Sequence, residues 1–317
     1  MSLTTSLTVL STDEAPLLEA ALRAAVAQEP DEVLVVDNSS TDATPELAQR
    51  AGARLLRIEP RVPYAAAMNA SISGSTGDLV AFLQADTFVA PGYLEAARAA
   101  FADPLVGSVA PKLVRAVGPG PEDRLDELDA AGMVVDRRRK NGLVGHGAPA
   151  SAYARPAEIF GADGAAAVYR RAALEDVAVE GEVFDVDLER WASDADLAWR
   201  AQVLGWRCLY EPAAVAHHIR AYSPSTRAEM SEGSRRMQFR NRYLMIAKNE
   251  GRELARDLPL LLGYELLALG HVLLRERHLL GAYRDAWRRL PAARRRRRAI
   301  QARRIGGRVR YGLEAPR

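Results

Sequence analysis

The sequence lacks the features that mark several classes of protein. One cysteine among 317 residues, Cys208, excludes an intramolecular disulfide framework and fits a reducing compartment. The N-terminus shows no basic segment followed by an apolar one, so we expect no signal peptide. We find no internal repeats. The 43 Lys and Arg against 41 Asp and Glu leave a formal charge of +2, which points to no class of partner.

The remaining composition is typical of a soluble globular protein. Hydrophobic residues make up 48% and charged residues 26% of the chain. Its length suffices for one large core, or for one domain with a sizeable appendage. Cys208 lies in an apolar, strand-like run, which favours a packed core residue over a nucleophile.

Short apolar runs alternate with helical patterns in the first part of the chain. The alternation of polar and apolar residues at 6–11 and the runs at 32–36, 53–58 and 79–83 predict strands, followed by another at 106–113. The segments between them predict helices at 13–28, at 64–73 and at 91–101, and one that follows the turn 37–42 and ends at Arg50. This order predicts an α/β fold with a doubly wound, mostly parallel sheet and right-handed crossovers.

The strand at 79–83 ends in the polar triplet Gln84, Ala85 and Asp86. Ligands of parallel sheets bind beyond the carboxyl ends of the strands, which is where this triplet lies. A carboxylate there, beside a bound phosphate, is a candidate ligand for Mg²⁺ or Mn²⁺. The alternative is that Asp86 only caps the turn into the following helix.

A second polar turn, from Asp37 to Asp42, follows the strand at 32–36. It combines hydroxyls, an amide and two carboxylates at the start of a predicted helix, where free N–H groups point outward. Such a turn can bind a base or ribose through Asp37 and cap the helix through Thr41 or Asp42. A capping role alone remains the alternative.

Three blocks of sequence, 35–44, 67–70 and 77–86, together resemble the nucleotide-sugar half of family 2 inverting glycosyltransferases. These enzymes have the GT-A fold, and the order and spacing of the blocks agree with theirs. The resemblance implies that Asp37 contacts the base or ribose and that Asp86 is the metal ligand of the family's Asp-x-Asp motif. It further implies donor contacts by Ser11, Asn38, Asn69 and Gln84.

Two positions depart from the family pattern. Gln84 replaces the first aspartate of the Asp-x-Asp motif, which resembles the bacterial rhamnosyltransferase-like members. Arg61 to Tyr64 stand where the family usually has a glycine before the aromatic residue, so we expect a donor pocket of altered shape.

The segment 160–171 is rich in small residues, which either let a sugar approach the backbone or let strands pack closely. It resembles the Gly-rich stretch of the same family. The resemblance implies that Asp163 and Gly164 contact the acceptor.

The segment 193–200 resembles the family motif Glu-Asp-x-Asp-Leu-x-x-Arg, whose second residue is the catalytic base. This implies that Asp194 is the base. Asp196 is expected to hold the helix start and Arg200 to form a structural ion pair. Ser193 replaces the usual glutamate and leaves the base without its acidic neighbour.

Two adjacent histidines, His217 and His218, follow a predicted strand. Imidazole can bind Mn²⁺ or a diphosphate, and the family has one histidine here. Neighbouring residues of a strand face opposite sides, so only one of the two can face the site. We favour His218 and leave His217 open.

Two stretches of the middle segment carry weaker signals. Residues 118–129 are rich in Pro, Gly and acids and predict a loop, and His146 is expected to be a loop residue without chemistry. The basic run 137–142 is expected either to border the acceptor site or to be a solvated turn.

The C-terminal region, 221–317, changes character. Its segment 237–248 predicts a helix, and the apolar stretch 254–274 predicts an in-plane amphipathic helix, since Pro259, Glu265 and His271 argue against a spanning one. Residues 284–310 hold twelve arginines and one acid. We expect residues 254–310 to bind an anionic membrane surface. Nucleic acid is not expected, because no stacking aromatics interleave the arginines, and a solvated helix face is the alternative.

These inferences predict a GT-A domain at 1–220, with its nucleotide-sugar half at 1–115 and its acceptor half at 116–220, followed by a helical, Arg-rich region. The resemblance implies a metal-dependent inverting glycosyltransferase of cell wall or polysaccharide biosynthesis. It would move rhamnose or another deoxyhexose from a nucleoside diphosphate to a lipid-linked or polysaccharide acceptor. We expect a cytoplasmic protein, peripheral at the inner face of the membrane. The alternative, motivated by Gln84 and Ser193, is a non-catalytic sugar-nucleotide-binding or scaffold protein of the same fold.

Overall fold

A mixed β-sheet forms the centre of the fold in the computed structural model, which describes residues 3–222, 226–305 and 307–317. Strands and helices alternate in the first part of the chain, as the sequence predicts. The elements are β1 (Thr5–Ser11), α1 (Ala15–Val26), β2 (Glu32–Asn38), α2 (Thr44–Arg50), β3 (Arg54–Ile58), α3 (Tyr64–Gly74) and β4 (Leu79–Gln84).

The strands of this part are apolar because helices cover both faces of the sheet. β1 lies between β2 and β4 in parallel register, with Val9 opposite Val35 and Leu83. These three side chains are buried in one hydrophobic cluster with Leu18 and Leu22 of α1. The register also sets the carboxyl ends of these strands at one edge of the sheet, where the predicted donor residues lie.

The next part of the chain completes the sheet and adds short peripheral elements. They are β5 (Thr87–Val89), α4 (Tyr93–Ala100), β6 (Val106–Ala116), β7 (Arg124–Ala130), β8 (Met133–Val135), β9 (Asn141–Leu143), β10 (Ala157–Ile159), β11 (Val168–Arg170), α5 (Arg171–Val177), α6 (Ser193–Val203) and β12 (Arg207–His218). Single 3₁₀ turns occur at Pro121–Asp123, Ala150–Ala152, Val186–Leu188, Arg227–Glu229 and Arg277–Leu279.

The strand order in the sheet is β10-β12-β6-β11-β4-β1-β2-β3, with β5 paired to β12 and β7 paired to β6. Strands β3, β2, β1, β4, β6 and β12 run in one direction, whereas β11 and β10 run the opposite way. β8 and β9 form a separate hairpin. The predicted doubly wound, mostly parallel sheet is therefore confirmed.

The predicted loop at 118–129 is wrong in its second half. Residues 124–130 form β7, which pairs antiparallel with β6, and Leu128 and Asp129 are fully buried. Asp and Glu are poor strand formers, so the local sequence favours a loop. Burial against β6 and its neighbours outweighs that preference.

Three long helices follow the sheet: α7 (Glu232–Asn249), α8 (Leu254–Leu274) and α9 (Leu280–Ala302). They confirm the predicted helical appendage. Residues 223–225 and 306, which belong to the predicted C-terminal region, lie outside the described residues.

The C-terminal region packs into the same core as the sheet domain. The ring of Tyr311 lies 6.3 Å from that of Phe160 and 5.3 Å from that of Trp199. The amide N–H of Phe160 donates to the carbonyl of Leu313 at 3.0 Å. The boundary at residue 220 stays a prediction, and no independent core separates the two parts here.

Half of the arginines between 284 and 310 form an ion pair or a hydrogen bond with another segment, although Arg295, Arg303 and Arg310 stay exposed. Arg296 of α9 pairs with Glu182 and Asp185, and Arg303 donates to the carbonyl of Asp176 at 2.7 Å. The arginines with an ion pair or hydrogen bond to another segment are Arg289, Arg295, Arg296, Arg303, Arg304 and Arg310. This corrects the expectation that the whole basic segment serves a membrane surface.

Within the described residues, α8 is one helix whose length and composition would suffice to cross a bilayer. Its protein-facing side is held by Asp257, which is fully buried and pairs with Arg137 and Arg139. Its other faces expose leucines: Leu254, Leu258, Leu260, Leu262, Leu266, Leu267, Leu269, Leu273 and Leu274.

Candidate active site

A cavity of about 1020 Å³ lies at the carboxyl edge of the parallel strands. Ligand pockets usually have about 300–1,000 Å³, so this one has room for a donor and part of an acceptor. α7 and α8 close its outer side through Phe239 and Tyr264. Its wall includes many of the residues that the sequence predicts: Asn38, Gln84, Asp86, Asp163, Gly164, Asp194 and His218.

Asp194 lies at the start of α6 with its carboxylate directed to the cavity wall formed by Gly164. One oxygen accepts the amide N–H of Ala195 at 2.8 Å, and the other accepts that of Gly164 at a longer 3.4 Å. Burial, together with the nearby charge of Asp163, raises the pKa of Asp194 to about 6. The carboxylate is therefore poised to take a proton near neutral pH.

Asp196 has a different role, as predicted. Its oxygens accept from Arg200 at 3.1 Å, from Lys248 at 2.8 Å and from Asn249 at 2.7 Å, all of them buried. No oxygen of Asp196 is left for a substrate. The carboxylate instead ties the start of α6 to the end of α7 and leaves Asp194 as the reactive member of the motif.

Asp86 and His218 face each other at the donor end of the cavity, with His218 Nε2 3.6 Å from Asp86 Oδ1. The Asp86 side chain also accepts a long hydrogen bond, at 3.4 Å, from the hydroxyl of Thr87. Burial raises the pKa of Asp86, and the nearby His218 opposes that shift. A partly buried carboxylate with so little stabilisation is a site that favours a cation.

His218 is oriented by Asp129, a residue that the sequence analysis missed. The Nδ1 of His218 lies 2.8 Å from Asp129 Oδ2. Because Nδ1 donates to this carboxylate, Nε2 keeps its lone pair toward Asp86, as in carboxylate–histidine–metal arrangements. The described residues contain no group of three or more His, Cys, Asp or Glu suited to a metal. Asp86 and His218 supply two ligand atoms of kinds that divalent cations accept, and substrate phosphates and water would have to supply the others.

His217 does not belong to this site, which corrects the assignment left open by the sequence. It lies on the opposite face of β12 from His218 and does not line the cavity. Burial and the nearby charge of Arg124 lower its pKa to about 4.

Three predicted donor residues are also not brought to the cavity. Asp37 is fully buried, and its two oxygens accept from the amide N–H of Ser40 at 2.8 Å and from Arg57 at 2.7 Å. Ser11 is buried with its hydroxyl 3.2 Å from that of Thr44. Asn69 hydrogen-bonds both backbone groups of Phe184. The polar groups of each side chain form hydrogen bonds within the protein, so the structure gives no support to a contact with the donor.

Asn38 and Gln84 do line the cavity at its donor end. The amide of Asn38 pairs with both backbone groups of Val62, at 2.9 and 3.0 Å. Asn38 therefore holds the segment 61–63, which is the part of the donor pocket where the sequence departs from the family.

Asp163 and Gly164 lie beside Asp194. Asp163 accepts from the amide N–H of Ala165 at 3.0 Å and from Arg220 at 3.1 Å. A Cβ at Gly164 would lie 3.0 Å from the hydroxyl of Tyr64, and one at Gly161 would lie 2.3 Å from Ala198 Cβ. Gly161 therefore permits close packing, whereas Gly164 lies on the cavity wall, where the approach of a sugar stays a prediction.

Arg220 is a second residue that the sequence analysis missed, although its spacing from His218 in the sequence could have predicted it. It lies two residues after His218, so an extended chain sets both on one face. Arg220 donates to Asp129 at 2.6 Å and to Asp163 at 3.1 Å, linking the cation site to the acceptor side. No local pattern marks Asp129, because its burial depends on partners about ninety residues away.

The basic run 137–142 divides between two roles. Arg139 is fully buried and pairs with Glu250 and Asp257, whereas Lys140, Asn141 and Gly142 line the cavity. The run therefore borders the cavity through its second half. His146 lies outside the cavity wall with its Nδ1 2.9 Å from the carbonyl oxygen of Asp129.

Comparison with known proteins matches this chain to a family of known proteins. The family described as Glycosyl transferase family 2 matches residues 6–178. The pre-mycofactocin glycosyltransferase of Mycobacterium tuberculosis (strain CDC 1551 / Oshkosh) is 33% identical over 155 residues, which cover 49% of this chain and 29% of that protein. The chain spans less than a third of the length of the curated relatives that it matches first.

Two solved structures share the fold. GalNAc-T7 with UDP, GalNAc and Mn²⁺ has a TM-score of 0.61 at 14% identity, covering 78% of this chain and 48% of that one. TarS 1-349 of S. aureus in complex with UDP-GlcNAc has a TM-score of 0.59 at 16% identity, covering 94% and 90%. At these identities the likeness confirms the GT-A fold, including the helices that follow the sheet.

Proposed function

The chain belongs to glycosyl transferase family 2, and from that premise we propose that it transfers a sugar from a nucleoside diphosphate donor to an acceptor hydroxyl. One observation carries the proposal. A single cavity holds a cation site, Asp86 with His218, at one end and the partly buried carboxylate of Asp194 at the other. The solved relatives named above were crystallised with UDP or UDP-GlcNAc.

The proposed reaction inverts the configuration of the sugar in one step. The acceptor oxygen attacks the anomeric carbon from the face opposite the diphosphate, and Asp194 takes the proton of that oxygen. The bond from the anomeric carbon to the diphosphate breaks with its electron pair left on the departing oxygen. General-base assistance of this kind accelerates reactions about 10²–10⁴-fold.

The proposed cofactor is Mg²⁺ or Mn²⁺, held by Asp86 and His218. A divalent cation bound there neutralises the charge that develops on the departing diphosphate. Asp129 keeps His218 in the tautomer that binds a cation, and Arg220 connects Asp129 to Asp163. GalNAc-T7 in the comparison contains Mn²⁺.

The proposed donor sugar is a deoxyhexose such as rhamnose, and its support is the sequence resemblance at Gln84. The proposed acceptor is lipid-linked or a polysaccharide. A lipid-linked acceptor has structural support, because Leu267 of the exposed face of α8 also lines the cavity. An acceptor that reaches the cavity from a bilayer would pass over that face.

We propose that the exposed face of α8 rests on an anionic bilayer surface at the inner side of the cell membrane. Between Leu258 and Leu274, the one charged side chain is Glu265, which accepts hydrogen bonds from Arg242 and Tyr243. Exposed arginines flank this apolar stretch at both ends: Arg252, Arg256, Arg275 and Arg277. Basic residues near such a surface contribute about 1 kcal/mol each.

An in-plane position of α8 agrees better with its contacts than a spanning one. Asp257 is buried beneath Arg137 and Arg139, and Arg242 binds Glu265 at 2.6 Å. A spanning helix would have to break these pairs and carry both carboxylates into hydrocarbon, which is costly. An interfacial helix keeps them and buries only the leucines.

Calorimetric titration with UDP, dTDP and GDP, with and without Mn²⁺, tests the proposed function. We expect one nucleotide to bind in a metal-dependent manner, and Asp86→Ala to abolish that binding. Asp126→Ala is the matched control, since Asp126 is exposed on β7. Absence of binding by the unaltered protein to all three nucleotides would contradict the proposal. Binding without any sugar transfer would favour the scaffold alternative.

A further inference from the structure

The segment that leads into α6 is strained at two positions. Glu189 has a φ of 61° and Ala192 a φ of 64°, values in the left-handed region that side chains other than glycine rarely adopt. The two residues enclose Arg190 and Trp191, both of which line the cavity. Strain of this kind persists where surrounding structure enforces it, and it concentrates at functional sites.

The C-terminal helices enforce this strained conformation. Arg240 of α7 donates to the carboxylate of Glu189 at 2.9 Å, and Arg289 of α9 donates to it at 3.1 Å. The amide of Asn241 donates to the carbonyls of Leu188 and Trp191, both at 2.7 Å. The fold thus fixes the backbone on both sides of Arg190 from two helices.

The guanidinium of Arg190 is free, in contrast to those of the other arginines of the cavity. Arg190 is exposed, and within the described residues its guanidinium forms no ion pair or hydrogen bond and lies 5.0 Å from the centre of the ring of Trp191. The other arginines of the cavity are bound to carboxylates, Arg220 to Asp129 and Asp163, Arg227 to Glu276 and Arg242 to Glu265. Lys140 is also unpaired, and it lies away from α6 on the β8–β9 turn.

Arg190 lies toward the donor end of the cavity. Its positive charge acts on Glu14 and Tyr64, two cavity residues from the N-terminal half, and opposes the upward shift of their pKa that burial causes. Glu14 also feels the charge of Asp86. The backbone next to Arg190 contacts the N-terminal half directly, because the carbonyl of Glu189 accepts the amide N–H of Ala65, at the start of α3, at 2.8 Å.

We propose that Arg190 binds the diphosphate of the donor and stabilises it as it departs; this rests on the function proposed above. The planar fork of a guanidinium matches two phosphate oxygens, and an unpaired one does not have to leave another partner first. As the bond from the anomeric carbon breaks, its electron pair passes to a diphosphate oxygen, and the charge of Arg190 favours that redistribution. The strained backbone fixes the point from which the guanidinium of Arg190 reaches the departing diphosphate, where negative charge develops.

The test compares Arg190→Ala and Arg190→Lys with Arg288→Ala, a matched control because Arg288 is exposed on α9. Binding of UDP, dTDP or GDP and of the corresponding monophosphates is measured by calorimetry with Mn²⁺, alongside kcat and KM. We expect Arg190→Ala to weaken diphosphate binding about tenfold, to change monophosphate binding less, and to lower kcat about 10²–10³-fold. Arg190→Lys should recover part of the loss, and Arg288→Ala should behave as the unaltered protein.

Three outcomes would overturn the proposal. Unchanged diphosphate affinity and kcat in Arg190→Ala would show that the guanidinium does not act on the donor. An equal loss for diphosphate and monophosphate, with no recovery in Arg190→Lys, would indicate a structural role. If the unaltered protein bound no nucleotide, the proposed function would fail together with this one.

Discussion

At the scale of residues, the carboxylates that can act on a substrate are those whose oxygens are not already satisfied by hydrogen-bond donors of the protein. Asp37 and Asp196 have their oxygens satisfied by protein donors, whereas Asp86 accepts one long hydrogen bond and one oxygen of Asp194 accepts only another, both at 3.4 Å. All four lie at strand ends or helix starts in the sequence, where capping and catalysis look alike. The motif resemblance separates Asp194 from Asp196, but the burial of Asp37 depends on Arg57 of a neighbouring strand.

The pKa of Asp194 predicts how activity depends on pH. Only the ionised carboxylate accepts a proton, so kcat/KM should rise with pH and level off above about 6. Asp163→Asn removes a neighbouring negative charge, which favours the ionised form and should move the acidic limb to lower pH. Initial rates measured between about pH 4.5 and about pH 8 test this. A profile without an acidic limb, or one that Asp163→Asn moves upward, contradicts it.

The contact between Asp129 and His218 predicts an effect on metal binding. Asp129→Asn should weaken Mn²⁺ binding about 10–100-fold, because His218 loses the carboxylate that fixes its tautomer. Titration of Mn²⁺ followed by calorimetry in the presence of nucleotide measures this directly. Asp126→Asn, on the exposed side of the same strand, should leave the affinity unchanged. Equal affinities for the two variants would rule out an orienting role.

At the scale of elements, α6 is positioned by α7 rather than by its own sequence. Lys248 of α7 pairs with Asp185 and Asp196, and burial lowers its pKa to about 8. These buried charges depend on one another, since removing one partner leaves the others uncompensated. The start of α6, and with it Asp194, therefore depends on the C-terminal region.

Lys248→Met should lower the free energy of unfolding by about 3–5 kcal/mol, because Asp185 and Asp196 each lose one of the two buried cations that they contact. Urea denaturation at neutral pH measures the loss. Lys140→Met serves as the control, since Lys140 is exposed and makes no side-chain contact within the described residues. A loss no larger than that of the control would show that the pairs add little to stability.

The sequence predicts an element well when local residues suffice to define it, and poorly when its burial depends on residues far away in the chain. β2 and β4 are buried on both faces and contain apolar runs, so their local sequence suffices. β7 is buried only because it packs against β6, and its acidic residues make the local sequence favour a loop instead of a strand. The arginines of α9 carry no local sign of their partners, because Glu180, Glu182 and Asp185 lie more than a hundred residues earlier.

At the scale of the whole molecule, the cavity is built from all three predicted parts of the chain. The nucleotide-sugar half supplies Asp86, the acceptor half Asp194, and the C-terminal region Tyr264 and Arg242. The sequence places the first two sets through family motifs. It gives no sign that the C-terminal helices close the cavity, because that contact depends on how α7 and α8 pack against the sheet domain.

The exposed face of α8 predicts binding to anionic vesicles. The double variant Leu262→Asp with Leu266→Asp should weaken sedimentation with phosphatidylcholine–phosphatidylglycerol vesicles at least about tenfold, since each buried leucine contributes about 1.5–3 kcal/mol. Leu105→Asp is the control, as Leu105 is exposed away from α8. An unaltered protein that stays in the supernatant at low salt would contradict membrane docking.

The central claim is that Asp194 is the base of a sugar transfer, and Asp194→Asn tests it most directly. The rate of nucleoside diphosphate release is measured from the UDP-, dTDP- or GDP-sugar whose nucleotide binds, with a membrane lipid extract as acceptor. We predict that kcat falls about 10²–10⁴-fold, because the amide cannot take the proton, while the affinity for the nucleotide stays within about twofold. A variant that turns over at the rate of the unaltered protein would contradict the assignment of Asp194.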